Sequence, residues 1–331
     1  MSAKNDNIEN QPTGLDGVAT SQGPAIIEVP EHEAEALAAQ KPGYGALAWF
    51  LVLILAMIWG TSFILIKRGL EVYAPQELGA IRITLASLFL LPFALPGLKH
   101  IERSRWKYLA LSGFTGNLLP AFLFAFGQTK LNSGLTGVLN SLTSLFTLLI
   151  GAMLFQQRIT WLKGVGVVVG MIGTAGLIYF SGKVGSSENP WYALMIVLAT
   201  ALYGFNVNNI KAHLQGIPPR AMSSLSLLTV GPIAAIYLAT TDFGYKLQHT
   251  DGSGMALLYI AILAAFSTAL GLVLFNKLLH MTTALFASST TYLMPIVALL
   301  WGVIDGELLT WVHFAGMATI LGGVYIVSRA K

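Results

Sequence analysis

The sequence contains no cysteine, and only 10% of its 331 residues are charged, whereas 55% are hydrophobic. The lack of cysteine excludes disulfides, thiolate catalysis and cysteine-ligated metal sites. The shortage of charge, with a mean hydropathy of +0.68, leaves too little polar surface for a soluble globule. We therefore predict an integral membrane protein whose main partner is the lipid bilayer.

Acidic residues are scarce outside the N-terminal segment. Residues 1–43 hold seven acids and two basic residues, whereas the remainder holds eight acids and 17 basic residues. The segment lacks the basic start and short apolar core of a signal peptide. Its polar composition predicts a disordered acidic cytoplasmic tail. The positive excess of the remainder indicates membrane orientation rather than nucleic-acid binding.

Apolar runs of the roughly 20 residues that a bilayer requires occur ten times. We place them at residues 45–66, 77–97, 107–127, 133–154, 161–180, 190–211, 219–240, 255–276, 283–304 and 309–328. Tryptophans at span ends are typical interfacial anchors. The sequence thus predicts an all-α polytopic membrane protein with ten transmembrane helices.

Two pairs of matched segments indicate an internal duplication. The stretch at residues 59–67 returns in outline at residues 203–211, 144 positions later. A second set of residues recurs at an offset of 150: Thr160, Trp161, Gly166 and Gly173 match Thr310, Trp311, Gly316 and Gly323. We predict a first five-helix repeat over residues 44–182 and a second over residues 183–331. Such symmetry is typical of secondary transporters, whose sites lie between the repeats.

The distribution of Lys and Arg in the connections predicts the orientation. With a cytoplasmic N-terminus, the inner side collects 11 of these residues and the outer side five. The positive-inside rule then places both termini in the cytoplasm. Because five spans are an odd number, the second repeat is expected to be inverted relative to the first. For a bacterial protein this membrane would be the inner membrane.

The sixth span carries a polar stripe. Tyr203, Asn206, Asn209 and His213 fall inside an arc of about 120° at 100° per residue. Ser62 is the repeat counterpart of Asn206, so both halves are expected to present polar groups to one cavity. The alternative is that these groups only hydrogen-bond neighbouring helices.

Other spans contain weaker polar candidates. Asn117 and Gln128 share one side of the third span, where Pro120 is able to kink the helix. Ser288 and Tyr292 align on the ninth span, although helix packing explains them equally well. Spans five and ten are rich in small residues, which predicts close packing within a scaffold or in a homodimer.

Arg82 is the one charge placed well inside a predicted span. An arginine there is unfavourable by about 2.5 to 3.5 kcal/mol and is normally retained for a partner or a pathway. The alternatives are snorkelling or pairing with Glu77 or Glu71. If Arg82 reaches the cavity, it favours substrates that bear a carboxylate, which a guanidinium holds with two hydrogen bonds.

The motif at residues 59–63, Arg82, the segment at residues 306–310 and the duplicated layout resemble the EamA-like branch of the drug/metabolite transporter superfamily. The resemblance implies a small-molecule carrier, often an exporter of amino acids or related metabolites, with Trp59, Ser62, Arg82 and the stripe from Tyr203 to His213 near a central cavity. It departs from the family pattern at Gln157, which stands where the second repeat has Glu307.

Three classes of function compete for this chain: a carrier working by alternating access, a channel or scaffold, and an intramembrane enzyme. An enzyme needs a nucleophile with a base, or two acids, at membrane depth. The eight acids outside the tail fall in connections or at span ends. We therefore predict a carrier with no catalytic residue, metal or cofactor. It would work by facilitated diffusion or exchange, with His213 the candidate proton carrier.

Overall fold

The computed structural model describes residues 45–98, 101–157, 160–183, 189–307 and 310–329. All regular structure within these ranges is helical. The main helices are α1 (Ala46–Gly69), α2 (Pro75–Gly97), α3 (Arg103–Gln128), α4 (Ser133–Phe155), α5 (Trp161–Lys183), α6 (Trp191–His213), α7 (Pro219–Ala239), α8 (Ser253–Met281), α9 (Ala284–Ile304) and α10 (Trp311–Arg329). A short helix, Phe243–His249, lies between α7 and α8.

Eight of these helices are long and apolar enough to cross a membrane. In α5 and α10 the apolar stretches are shorter, over Trp161–Leu177 and Trp311–Val327. The protein is therefore an all-helical membrane protein, and the count of ten spans stays a prediction. The tail at residues 1–43 lies outside the described residues.

The outer surface of the helices is apolar. Large side chains such as Met57, Phe93, Ile236 and Ile304 are exposed, whereas many Ser, Thr and Asn side chains are buried among the helices. This arrangement is the reverse of a soluble fold and matches a lipid environment, in which polar groups must be satisfied internally.

A pair formed by an aromatic residue and a glycine, Trp59-Gly60 in α1 and Tyr203-Gly204 in α6, lets each of these helices cross another at close range. A Cβ on Gly60 would lie 2.5 Å from the Cβ of Val297 in α9. A Cβ on Gly204 would lie 2.7 Å from the backbone nitrogen of Thr147 in α4. Only glycine leaves room for these approaches. Each contact joins one predicted half of the chain to the other.

The small residues of α5 and α10 pack these two helices against each other within one chain. A Cβ on Gly166 would lie 2.5 Å from the carbonyl oxygen of Gly323. A Cβ on Gly316 would lie 2.7 Å from Leu177. Gly166 and Gly316 are therefore covered within one chain, and a homodimer through α5 and α10, which stays a prediction, would have to use other faces of these helices.

Four helices are distorted near the middle of the bundle. Turns of α3 and α8 widen into π-helix over Phe114–Leu118 and Leu263–Leu270. In α3 the widened turn precedes Pro120, whose missing N–H cannot continue the ladder. Helices α4 and α9 are interrupted at Ser141 and Ser289. These irregular turns free polar groups at membrane depth, which is tolerated where they line a cavity.

Candidate functional site

A central cavity of about 100 Å³ lies among the distorted helices. Its walls combine polar side chains with aromatic and aliphatic ones: Trp59, Ser62, Phe63, Ile66, Arg82, Gly116, Asn117, Phe124, Asn140, Thr143, Tyr203, Asn206, Val207, Ser267, Thr268, Leu272, Phe275, Ser288, Thr291 and Met294. They come from α1, α2, α3, α4, α6, α8 and α9, so both halves of the chain contribute. An apolar wall with a few convergent polar groups is the usual composition of a small-molecule site.

Arg82 brings a buried positive charge to this cavity from α2. Its side-chain Nε donates a 2.8 Å hydrogen bond to the hydroxyl of Thr268, and that hydroxyl donates in turn to the Leu263 carbonyl at 3.4 Å. None of the ion pairs among the described residues involves Arg82. Its charge is thus held in place by a neutral neighbour and is available to an anionic group.

Asn206 presents an amide to the cavity from α6. It packs on Gly116, where a Cβ would lie 2.2 Å from the amide nitrogen of Asn206. Its Oδ1 is buried and has no hydrogen-bond partner among the described residues. A buried acceptor without a partner is unfavourable, and it marks a place for a donor.

Trp59 and Ser267 join α1 to the widened turn of α8. The indole Nε1 of Trp59 donates to the Ser267 carbonyl at 2.8 Å, and the Ser267 hydroxyl donates to the Ile58 carbonyl at 3.2 Å. The Ser62 hydroxyl donates to the Trp59 carbonyl. These bonds hold the indole against the cavity and fix the position of α1 relative to α8.

The remaining polar wall consists of side chains that bond within their own helix or to a facing one. The Asn117 amide donates to the Ser112 carbonyl at 3.4 Å across the widened turn of α3. Ser288 donates to the Leu285 carbonyl at 3.0 Å. The hydroxyls of α4 and α9 meet where Ser144 lies 3.3 Å from Thr291. Of these residues, Asn117, Ser288 and Thr291 line the cavity as neutral hydrogen-bonding surface.

Seven of the eleven residues predicted from the sequence line the cavity. They are Trp59, Ser62, Arg82, Asn117, Tyr203, Asn206 and Ser288. The other four do not: they are Gln128, Asn209, His213 and Tyr292.

Packing explains the positions of these four residues. Gln128 donates to the Phe63 carbonyl at 2.9 Å, and Asn209 donates to the Tyr108 carbonyl at 3.1 Å. The His213 ring stacks on that of Tyr108 with centroids 3.9 Å apart. Half of the predicted polar stripe on α6 therefore contacts α3 rather than the cavity. Tyr292 is packed into the core beside α4.

The main cavity residues that the sequence analysis missed lie on α8. Ser267, Thr268 and Phe275 all face the cavity. A Ser-Thr pair in a long apolar helix is common in bundles, so it carries no signal by itself. The one clue to this Ser-Thr pair in the sequence is that it lies in the eighth predicted span. That span is the repeat counterpart of the third span, which contains Asn117.

The model of the EamA-like transporter family matches residues 46–179 and again residues 190–329. The chain belongs to the EamA-like transporter family. It is therefore a small-molecule transporter embedded in a membrane, and the family is one of transporters rather than enzymes. The two matched segments lie one in each half of the chain.

Named relatives agree with this membership. The chain is 26% identical over 296 residues to the inner membrane transporter YedA of Escherichia coli K12, covering 88% of this chain and 92% of that one. It is 27% identical over 291 residues to a probable amino-acid metabolite efflux pump of Salmonella typhimurium, covering 84% and 93%. A solved crystal structure matches with a TM-score of 0.60 over 85% of this chain and 96% of that one. At 15% identity, that likeness concerns the fold alone.

Proposed function

We propose that this protein is a secondary carrier that exports or exchanges small metabolites, such as amino acids or related solutes, by alternating access. Ten helices would form an inverted repeat of five and five, with both termini in the cytoplasm of a bacterium and the bundle in its inner membrane. The observation that carries the proposal is the central cavity, which is walled by both halves and contains the unpaired charge of Arg82.

The placement of the distorted helices supports alternating access. The third helix of each half contains a widened turn, and the fourth helix of each half is interrupted in its first half. Discontinuous helices at the interface of two inverted repeats are typical of carriers whose repeats rock about a fixed site. A channel has no need for this symmetry.

Arg82 and Asn206 support a substrate that combines an anionic group with a donor. A guanidinium recognises a carboxylate with two parallel hydrogen bonds, and the Oδ1 of Asn206 accepts a hydrogen bond from an amine or a hydroxyl. Amino acids contain both groups. A relative named as a probable amino-acid metabolite efflux pump agrees with this class.

The acid content of the cavity supports exchange or facilitated diffusion. No Asp or Glu is present among the residues that line it, and carriers driven by protons or Na⁺ usually keep a carboxylate at membrane depth. His213, the candidate proton carrier, stacks on Tyr108 away from the cavity wall. We therefore infer that the substrate's own gradient drives transport.

Counterflow in proteoliposomes tests the function directly. Vesicles preloaded with an unlabelled amino acid should accumulate the same labelled amino acid transiently, without any ion gradient. The accumulation should saturate with substrate concentration. Flux that rises linearly with concentration and shows no counterflow would instead indicate a channel.

A further inference from the structure

An ion-pair cluster with buried acids and half-buried cations lies at the end of the bundle where α1 finishes. The Nζ of Lys67 lies 2.5 Å from Oδ2 of Asp305 and 2.9 Å from Oε1 of Glu307. Arg68 also pairs with Asp305. The Glu307 side chain is only 3% exposed, so its charge depends on these partners.

Glu307 also binds the start of α4. Its two carboxylate oxygens accept the backbone N–H groups of Ser133 and Gly134, at 2.9 and 3.1 Å. A carboxylate at a helix N-terminus is favoured by the helix dipole, and hydrogen bonds to a charged group are about twice as strong as neutral ones. One side chain in the connection between α9 and α10 therefore joins α1 to α4.

The repeat counterparts of Lys67 and Glu307 lie at the opposite end of the bundle, and neither of them pairs with an acid in the described part of the chain. Lys211 lies 144 positions after Lys67, and Gln157 lies 150 positions before Glu307. Lys211 donates to the Thr282 carbonyl at 2.5 Å, just before α9. The exposed Gln157 donates to Oδ1 of Asn208 at 2.9 Å. Among the ion pairs that the described residues form, none includes Lys211.

Both clusters are directly connected to the cavity walls. Ile66 lines the cavity immediately before Lys67, and Val207 lines it immediately before Asn208. Helix α4 contributes Asn140 and Thr143 to the walls. Separating Lys67 from Glu307 would therefore loosen α1 from α4 at one end. Separating Gln157 from Asn208 would loosen the end of α4 from α6 at the other, where the Asn208 amide still donates to the Thr147 carbonyl at 2.8 Å.

We propose that these clusters are the two gates of the cavity, a charged gate at Lys67, Asp305 and Glu307 and a neutral gate at Gln157 and Asn208. Their unequal strength biases the carrier towards states in which the charged gate is closed. The proposal rests on the alternating access proposed above. In the orientation inferred there, the charged gate faces outwards, so the resting carrier loads from the cytoplasm, as an exporter requires.

Cysteine labelling measures this bias, because the chain contains no cysteine of its own. A Ser62→Cys reporter in the cavity is treated with a membrane-impermeant maleimide from each face of oriented vesicles. Labelling from the neutral-gate face should be the faster. Glu307→Gln in this background should raise labelling from the charged-gate face about tenfold, the change expected when charge-assisted hydrogen bonds become neutral ones.

Two further variants distinguish the opening of one gate from a general loosening of the helix packing. Gln157→Glu replaces the donor to Oδ1 of Asn208 with an acceptor, so it should open the neutral gate and raise labelling from the neutral-gate face. Lys246→Gln is the matched control, because it breaks the 2.7 Å ion pair of Lys246 with the buried Glu77, which includes no gate residue, and it should leave labelling unchanged.

The outcomes also separate this proposal from the function on which it rests. If the unsubstituted protein shows counterflow but Glu307→Gln and Gln157→Glu label like the Ser62→Cys reporter alone from both faces, the gates are wrong and the carrier function stands. If Glu307→Gln does not fold, Gln157→Glu at its exposed position decides alone. Absence of counterflow for any amino acid in the unsubstituted protein contradicts the proposed function instead.

Discussion

The side chain of Arg82 on α2 donates its Nε–H to the hydroxyl of Thr268 on α8, at 2.8 Å. This bond fixes the base of the guanidinium and leaves its two terminal nitrogens free of any ion pair among the described residues. A buried charge without a counter-ion is unfavourable unless a ligand supplies one. The stability of the helix bundle is therefore expected to depend on whether the bound substrate has a negative charge.

Substitutions of Arg82 should separate anionic from neutral substrates. Arg82→Lys keeps the charge but loses the forked geometry, so transport of carboxylate-bearing substrates should weaken; Arg82→Gln should weaken it further. Counterflow of an amino acid and of its neutral amide, measured side by side, checks the prediction. Equal rates for both substrates across all three proteins would contradict it. Thr268→Val is the control for position, since it removes the hydrogen bond and keeps the charge.

Asn206 and Asn209 should respond differently to the same change, although the sequence alone gives them the same role. Asn206→Leu removes a free acceptor from the cavity, so saturable counterflow should be lost while the protein stays folded. Asn209→Leu removes the donor to the Tyr108 carbonyl, so it should lower stability by about 1 to 3 kcal/mol. Thermal unfolding in detergent, paired with counterflow, distinguishes the two effects. Identical behaviour of the two variants would show that Asn206 serves packing as well.

Helix positions followed closely from the sequence, because each helix satisfies its own backbone in a bilayer and so is marked by a continuous apolar run. The hydrogen-bond partners of the polar side chains could not be predicted from the sequence. The helical arc places Asn209 on the same side of α6 as Asn206. The cavity, however, extends along only part of α6, and α3 packs against the part that carries Asn209. Deciding which of two such residues is free requires the positions of the neighbouring helices.

The distorted turns were predictable only where a proline marks them. Pro120 indicated the irregular turn of α3, whereas the widened turn of α8 contains no proline and left Ser267 and Thr268 unnoticed. The departure at Gln157 was visible in the sequence, but its meaning was not. In the structure, Glu307 joins Lys67 to the start of α4, whereas the Gln157 side chain donates to Asn208.

Two glycines of α5 provide a matched test of the packing with α10. Gly166→Ala would place a Cβ 2.5 Å from the Gly323 carbonyl oxygen, so it should destabilise the protein by about 1 to 3 kcal/mol through overpacking. At Gly164 no atom lies within 4 Å of an added Cβ, and Gly164→Ala should be neutral or slightly stabilising because alanine favours a helix. Thermal unfolding of both variants measures the difference. Equal unfolding temperatures would mean that α5 and α10 are not in close contact.

The inversion of the repeats is testable at one pair of equivalent positions. Glu71 in the connection after α1 and Gln215 in the connection after α6 are both exposed and lie 144 positions apart. In an inverted repeat they face opposite sides of the membrane, and positive-inside counting assigns Glu71 to the outside. Single Glu71→Cys and Gln215→Cys variants, in a chain with no other cysteine, should react with an impermeant maleimide from opposite faces, and only Glu71→Cys should react in intact cells. If both reacted in intact cells, the halves would be parallel and the two gates could not alternate.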